Sequence, residues 1–211
     1  SACLVGSEMC IRDSKATGAA TWSIVSKFGF ILNIAENIYG KRDPQYTILG
    51  IELSDHGCPQ IWFPLVFPNS IIIQITEDCL ADPDRAMYQV AHEVIHCLRP
   101  HPNTNPTVLE EGIATHFAHE YMSTFEHKPQ WTASTTQYIL AKKCIDLMLD
   151  NDNEIIKKLL EKELDFSKIT EDMILEVSPE FPRDLAKILT TDFYDDSWIC
   201  LLYTSPSPRD R

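Results

Sequence analysis

From Trp22 to Tyr39 the apolar residues Trp22, Ile24, Val25, Phe28, Ile31, Leu32, Ala35, Ile38 and Tyr39 return every three or four positions. This spacing predicts an amphipathic helix, and Gly40 is placed to end it as a left-handed cap. The pattern then changes. Tyr46 to Leu53 and Ile71 to Thr76 are β-branched and aromatic, and they are bounded by Asp55-His56-Gly57, Pro64, Pro68 and Asn69. They read as strands of a small sheet, with Ile61 to Phe63 a candidate third.

Helical spacing returns at Asp82. Asp82 suits an N-cap and Pro83 the first helical position, and Ala86, Met87, Val90, Ala91, Val94, Ile95 and Leu98 form a broad apolar face that Pro100 brings to an end. A second helix is expected to start with Asn105 as cap and Pro106 as first residue and to run to about Ser123. Four more follow, at Thr132 to Asp150, Asp152 to Leu164, Thr170 to Val177 and Pro182 to Thr190, with Ser, Thr or Asp near their starts. Strands first and helices after give an α+β fold, a small mixed sheet followed by a mostly helical part. The coil from His127 to Trp131 divides an expected catalytic lobe, residues 15–126, from a helical lobe, residues 127–199. There are no internal repeats or low-complexity tracts.

The two ends do not read as protein. Leu4 to Ser14 (LVGSEMCIRDS) and Cys200 to Asp210 (CLLYTSPSPRD) resemble translated sequencing adapter. The codons ACA TCT CCG AGC CCA CGA GAC encode Thr204 to Asp210, and their reverse complement in a shifted frame encodes Leu4 to Met9. Residues 1–14 and 200–211 are therefore expected to be artefact, and the natural segment to be an internal piece of a longer reading frame. A missing leader then says nothing about secretion.

Composition narrows the partners. A net charge of −13 repels phosphate backbones and argues against nucleic acid. No apolar run is long enough to span a membrane. Setting aside Cys3, Cys10 and Cys200 leaves Cys58, Cys79, Cys97 and Cys144, with no CxxC pair; a chain of this length buries a core without staples, so reduced thiols are expected. That leans toward a cytoplasmic setting without fixing one. The oligomeric state is not legible.

The chemistry centres on His92-Glu93-Val94-Ile95-His96, inside the helix that starts at Pro83. Spacing of i, i+4 puts both imidazoles on one face, one turn apart, where they can grip a tetrahedral zinc ion. Glu93 lies beside that face, placed to act as a general base on a water molecule that zinc activates. For a third ligand the chain offers Glu110, Glu111, His101, His116 and His119. His96 sits about 4 to 5 Å before the end of its helix and Glu111 about 7 to 8 Å after the start of the next. Antiparallel packing therefore brings Glu111 opposite the histidines, with Gly112 allowing close backbone approach. Glu110 is one helical step away and shares its face with Ala114, Phe117 and Tyr121.

HEVIH followed by LEEGIA resembles the gluzincin zinc metallopeptidases, over roughly Ile71 to Tyr121. The resemblance implies His92, His96 and Glu111 as metal ligands, Glu93 as catalytic base, a peptide or protein substrate, and Ile71 to Thr76 as the edge strand along which substrate aligns. Glu110 stands where aminopeptidase-like members usually carry Asn. Fourteen residues separate His96 from Glu111, which suggests a minimal version of the fold. Thermolysin-like members carry Asp where this chain has Thr115, so the partner that orients a ligand histidine must come from elsewhere. No G-x-M-E-N segment is present, which removes the signature of aminopeptidase activity. The metzincin pattern is absent, since Arg99 and Pro102 occupy its Gly and third His positions and His101 is off by one. Tyr121, Tyr138, His116, His119 and His127 are available as oxyanion donors. The competing readings are a zinc-binding module without turnover and an interaction domain in which the histidines are coincidental; in such readings Cys97 is core and His56 with Cys58 is a turn.

Overall fold

A computed structural model describes residues 23–204. The expected opening residue Trp22, the front adapter-like stretch and residues 205–211 of the rear one lie outside the described residues. Helix α1 (Ile24–Tyr39) begins at Ser23, which forms a reciprocal capping box with Ser26. It ends at Gly40, whose φ of 102° is accessible to glycine at little cost. Ile24, Ile31, Ala35 and Tyr39 face the core, while Val25 and Ile38 of the expected apolar face are exposed.

The sheet has three strands, β1 (Thr47–Leu53), β2 (Gln60–Trp62) and β3 (Ser70–Ile75), in the order β1-β3-β2. β3 runs parallel to β1 and antiparallel to β2, and the β1 register slips between Ile48 and Gly50. β3 is therefore the central strand, not the edge expected from the resemblance. The cause is visible in its composition: Ile71, Ile73 and Ile75 are fully buried on one face, and Ser70 and Gln74 are buried on the other. A strand covered on both faces belongs inside a sheet. β2 is the antiparallel edge that lies toward the next helix.

α2 (Pro83–Leu98) starts as the sequence predicts, with the Asp82 carboxylate accepting from the Arg85 amide and Pro83 in the first turn. α3 (Val108–Thr124) starts later than expected, because Thr107, not Asn105, is its cap. The Asn105 side chain is occupied elsewhere, donating to Asp192 Oδ2 at 2.8 Å. Thr107 and Asp192 form an antiparallel bridge, Phe193 N–H donates to the Pro106 carbonyl and Val108 N–H to the Thr191 carbonyl, both at 2.9 Å. These bonds hold residues 105–107 extended, so the helix cannot begin there.

The later helices are α4 (Thr136–Asn151), α5 (Ile155–Lys162), α6 (Glu171–Val177), α7 (Arg183–Leu189) and α8 (Ser197–Thr204). α4 to α7 each begin later than the pattern suggests, with Thr170 and Pro182 standing as caps, and α8 is not among the expected helices. α8, which runs on into the adapter-like stretch, is anchored by the fully buried Trp198, whose indole N–H donates to the Phe193 carbonyl. One apolar cluster joins α1, the sheet and α2 to the helices that follow. α3 lies between α2 and α4. Gly112 makes the second of these contacts possible: a Cβ there would lie 2.7 Å from Ile145 Cγ1 and 2.8 Å from the Ala141 carbonyl oxygen. The close approach it allows is thus of α3 to α4. Among the described residues, no helix is long and apolar enough to cross a membrane.

Candidate metal centre

Antiparallel packing of α2 on α3 brings three of the sequence-predicted residues to one point. His92 Nε2 lies 3.4 Å from His96 Nε2 and 3.1 Å from Glu111 Oε2, and His96 Nε2 lies 3.7 Å from Glu111 Oε1. A tetrahedral ion with bonds of about 2.0 to 2.1 Å places its ligand atoms about 3.3 to 3.4 Å apart. The observed separations scatter around that value. All three residues are buried, and the group can hold a metal ion.

The electrostatics point the same way. Glu93, Glu110 and Glu111 are each at least 96% buried, and burying this much negative charge is costly unless a cation accompanies it. Burial pulls His96 toward neutrality, but Glu111, then Glu110 and Glu93, outweigh it and raise its pKa to about 10. Burial pushes the Glu93 carboxyl upward against the opposing pull of His96 and His92. A carboxylate raised in this way is a better proton acceptor than an exposed one.

Glu110 is where the structure adds most. Its carboxylate accepts from two imidazoles, with Oε1 2.7 Å from His96 Nδ1 and Oε2 2.7 Å from His101 Nε2. It is thus not a passive member of an apolar face but a buried carboxylate bridging His96 and His101. Burial raises its pKa, yet the bonds to His101 and His96 prevail and hold it below the ordinary carboxylate value. Thr115, at the position where thermolysin-like enzymes carry Asp, instead donates to the Glu111 carbonyl at 2.7 Å, within α3.

Of the expected oxyanion donors, only Tyr138 reaches the centre. Its ring meets His92 edge to face with centroids 5.6 Å apart, and burial, then Glu111, push its hydroxyl pKa up. Tyr194 was not distinguished by any sequence signal; it follows Phe193 in the loop between α7 and α8. Its pKa is raised to about 12, by burial first and then by Glu111 and Glu93, so its hydroxyl stands in the field of the same carboxylates. Phe193 links the two tyrosines by ring contacts of 4.8 and 5.6 Å. The other candidates are engaged elsewhere. Tyr121 Oη donates to Glu126 at 2.6 Å, His116 Nδ1 meets Asp146 at 2.8 Å and His119 Nε2 faces the Pro129 carbonyl at 3.4 Å. His127 occupies a turn with φ of 56°.

Comparison of the chain with protein families, with curated proteins and with solved structures finds no match.

Proposed function

We propose that this chain is a zinc-dependent hydrolase, a metallopeptidase of the gluzincin kind, with His92, His96 and Glu111 as ligands and Glu93 as catalytic base. The observation that carries the proposal is the tetrahedral spacing of the three ligand atoms beside a buried carboxylate that is not one of them. Zinc in that position supplies a Lewis acid and lowers the pKa of water. Glu93 takes the proton from the attacking water and returns it to the leaving amine, which its raised proton affinity suits. Tyr138, whose ring packs against His92, is the hydroxyl that donates to the oxyanion as it develops. A peptide substrate runs beside β2, the free edge toward α2.

A purely structural zinc site tends to fill its fourth position with a protein ligand. Among the described residues the group contains three, which favours turnover over a binding module. The test is Glu93→Gln. Zinc content and melting temperature stay close to the parent's, while hydrolysis of a peptide found by screening falls at least about 100-fold, the low end for loss of a general base. A variant that keeps its zinc and its rate removes Glu93 from the mechanism. A parent chain that takes up no zinc removes the metal from it.

A further inference from the structure

The ligand histidines are not supported alike. His96 Nδ1 sits on Glu110, and the far oxygen of Glu110 sits on His101, which projects from the connection between α2 and α3. The chain continues outward, with His101 Nδ1 2.7 Å from Thr104 Oγ1. One set of proton positions satisfies every contact. Thr104 O–H donates to His101 Nδ1, and His101 Nε2–H donates to Glu110 Oε2. His96 Nδ1–H donates to Glu110 Oε1. That leaves the lone pair of His96 on Nε2, the atom that faces His92 and Glu111.

From this geometry we propose that His101 is a positioning residue for the metal centre: through Glu110 it holds His96 in the tautomer and orientation that coordination requires. The proposal rests on the metal-centre reading above and extends it to the α2–α3 connection.

Three observations favour it over a packing role. The His101 side chain is 11% exposed and the Glu110 side chain 2%, so the bond between them is shielded from competing water. Glu110 has two oxygens and both are occupied by imidazoles; without His101 one oxygen of a buried carboxylate would be unpaired, a state that costs far more than a bond to water. The released carboxylate would swing or draw in water, and the ring it orients would turn with it. Finally, residues 102–105 of the same connection are exposed, so His101 is the point at which this loop meets the centre. Partners of ligand histidines commonly affect metal affinity by about 10- to 100-fold when removed.

The experiment measures zinc affinity by competition with a chromogenic chelator in the full chain, its His101→Ala, His101→Gln and Glu110→Ala variants, and the double variant. Melting temperature without metal and the visible spectrum with cobalt are recorded alongside. Glu110→Ala is expected to weaken zinc toward the 100-fold end and His101→Ala toward the 10-fold end of the range for such partners. His101→Gln keeps an N–H for Glu110 and restores most of the affinity. In the Glu110→Ala background the His101 change adds nothing, because its only route to the metal is gone. The cobalt spectrum of His101→Ala shifts, while its metal-free melting temperature stays near the parent's. The proposal is overturned if His101→Ala binds zinc as the parent does. It is also overturned if the affinity loss persists in the glutamine variant and tracks a lower metal-free melting temperature, the mark of a packing role. A parent that binds neither zinc nor cobalt overturns both this proposal and the metal centre beneath it. Parental binding with no effect of His101 overturns this one alone.

Discussion

Helices α2 and α5 obey opposite rules. In α5 the buried residues are Ile155, Ile156, Leu159 and Leu160, and Lys157, Glu161 and Lys162 face solvent. In α2 every residue from Gln89 to Leu98 is buried, including Gln89, His92, Glu93 and His96. The first arrangement gains from removing apolar surface from water and leaves charge where it is hydrated. The second gives up part of that gain to hold ionisable groups away from water, where small displacements change their chemistry. α5 is therefore built for stability and α2 for a site.

The contrast can be broken at either helix. Leu159→Ala should lower stability by about 2 to 5 kcal/mol, the range for truncating a buried leucine. Denaturant unfolding should show the same loss with zinc and with chelator, and zinc affinity should not move. A coupled change in affinity would mean that α5 is part of the site after all.

The reciprocal substitution is Glu93→Leu. Glu93 is one of three buried carboxylates gathered around His92 and His96, so replacing this excess charge by an apolar group of similar size should leave the stability of the metal-free protein little changed. Peptide hydrolysis should be lost. Should the variant unfold more easily, Glu93 would be a structural partner of the histidines, and the distinction between the two helices would fail at its central residue.

A smaller effect sharpens the boundary between site and scaffold. Asp146 is half-buried, and burial raises its pKa, but the bonds from His116 and Lys142 outweigh this and hold it below its ordinary 3.8. A carboxyl depressed in the folded state adds stability above its unfolded pKa and loses it as pH falls through the folded one. Asp146→Asn should thus cost less than about 1 kcal/mol at neutral pH, given its solvent screening. The difference from the parent should shrink as pH falls through the depressed pKa of Asp146, as read from urea unfolding across the acid range. A difference that grows in acid would show that His116 has another partner.

What the chain reveals about itself divides along the same line. The start of α2 is legible because Asp82 and Pro83 act on their own next few residues, and the juxtaposition of His92, His96 and Glu111 is legible because helix geometry carries His92 to His96 and then across to Glu111. Contacts set by chain segments far apart are not. The central place of β3 depends on what covers its second face, although the run Ile71-Ile72-Ile73 was a usable signal. The role of Glu110 depends on where the loop puts His101. The place of Tyr194, in ring contact with Phe193, depends on how Phe193 and Trp198 pack their loop. The start of α3 could not be read from Asn105 and Pro106, since the residues that override them lie at 191–193.

That last dependence bears on the order of events as the chain is made. α2 and α3 emerge from the ribosome well before Thr191 to Phe193, so the ligands His92, His96 and Glu111 exist while the first turn of α3 still lacks its bridge to Asp192. Glu110 and Glu111 lie within four residues of that bridge. The two helices can meet early, but the register that aims these carboxylates is locked only when the later segment arrives. If the group holds a metal, capture at full affinity would be a late step of biosynthesis, and a nascent chain halted before Asp192 would present His92, His96 and Glu111 without the clamp that aligns them.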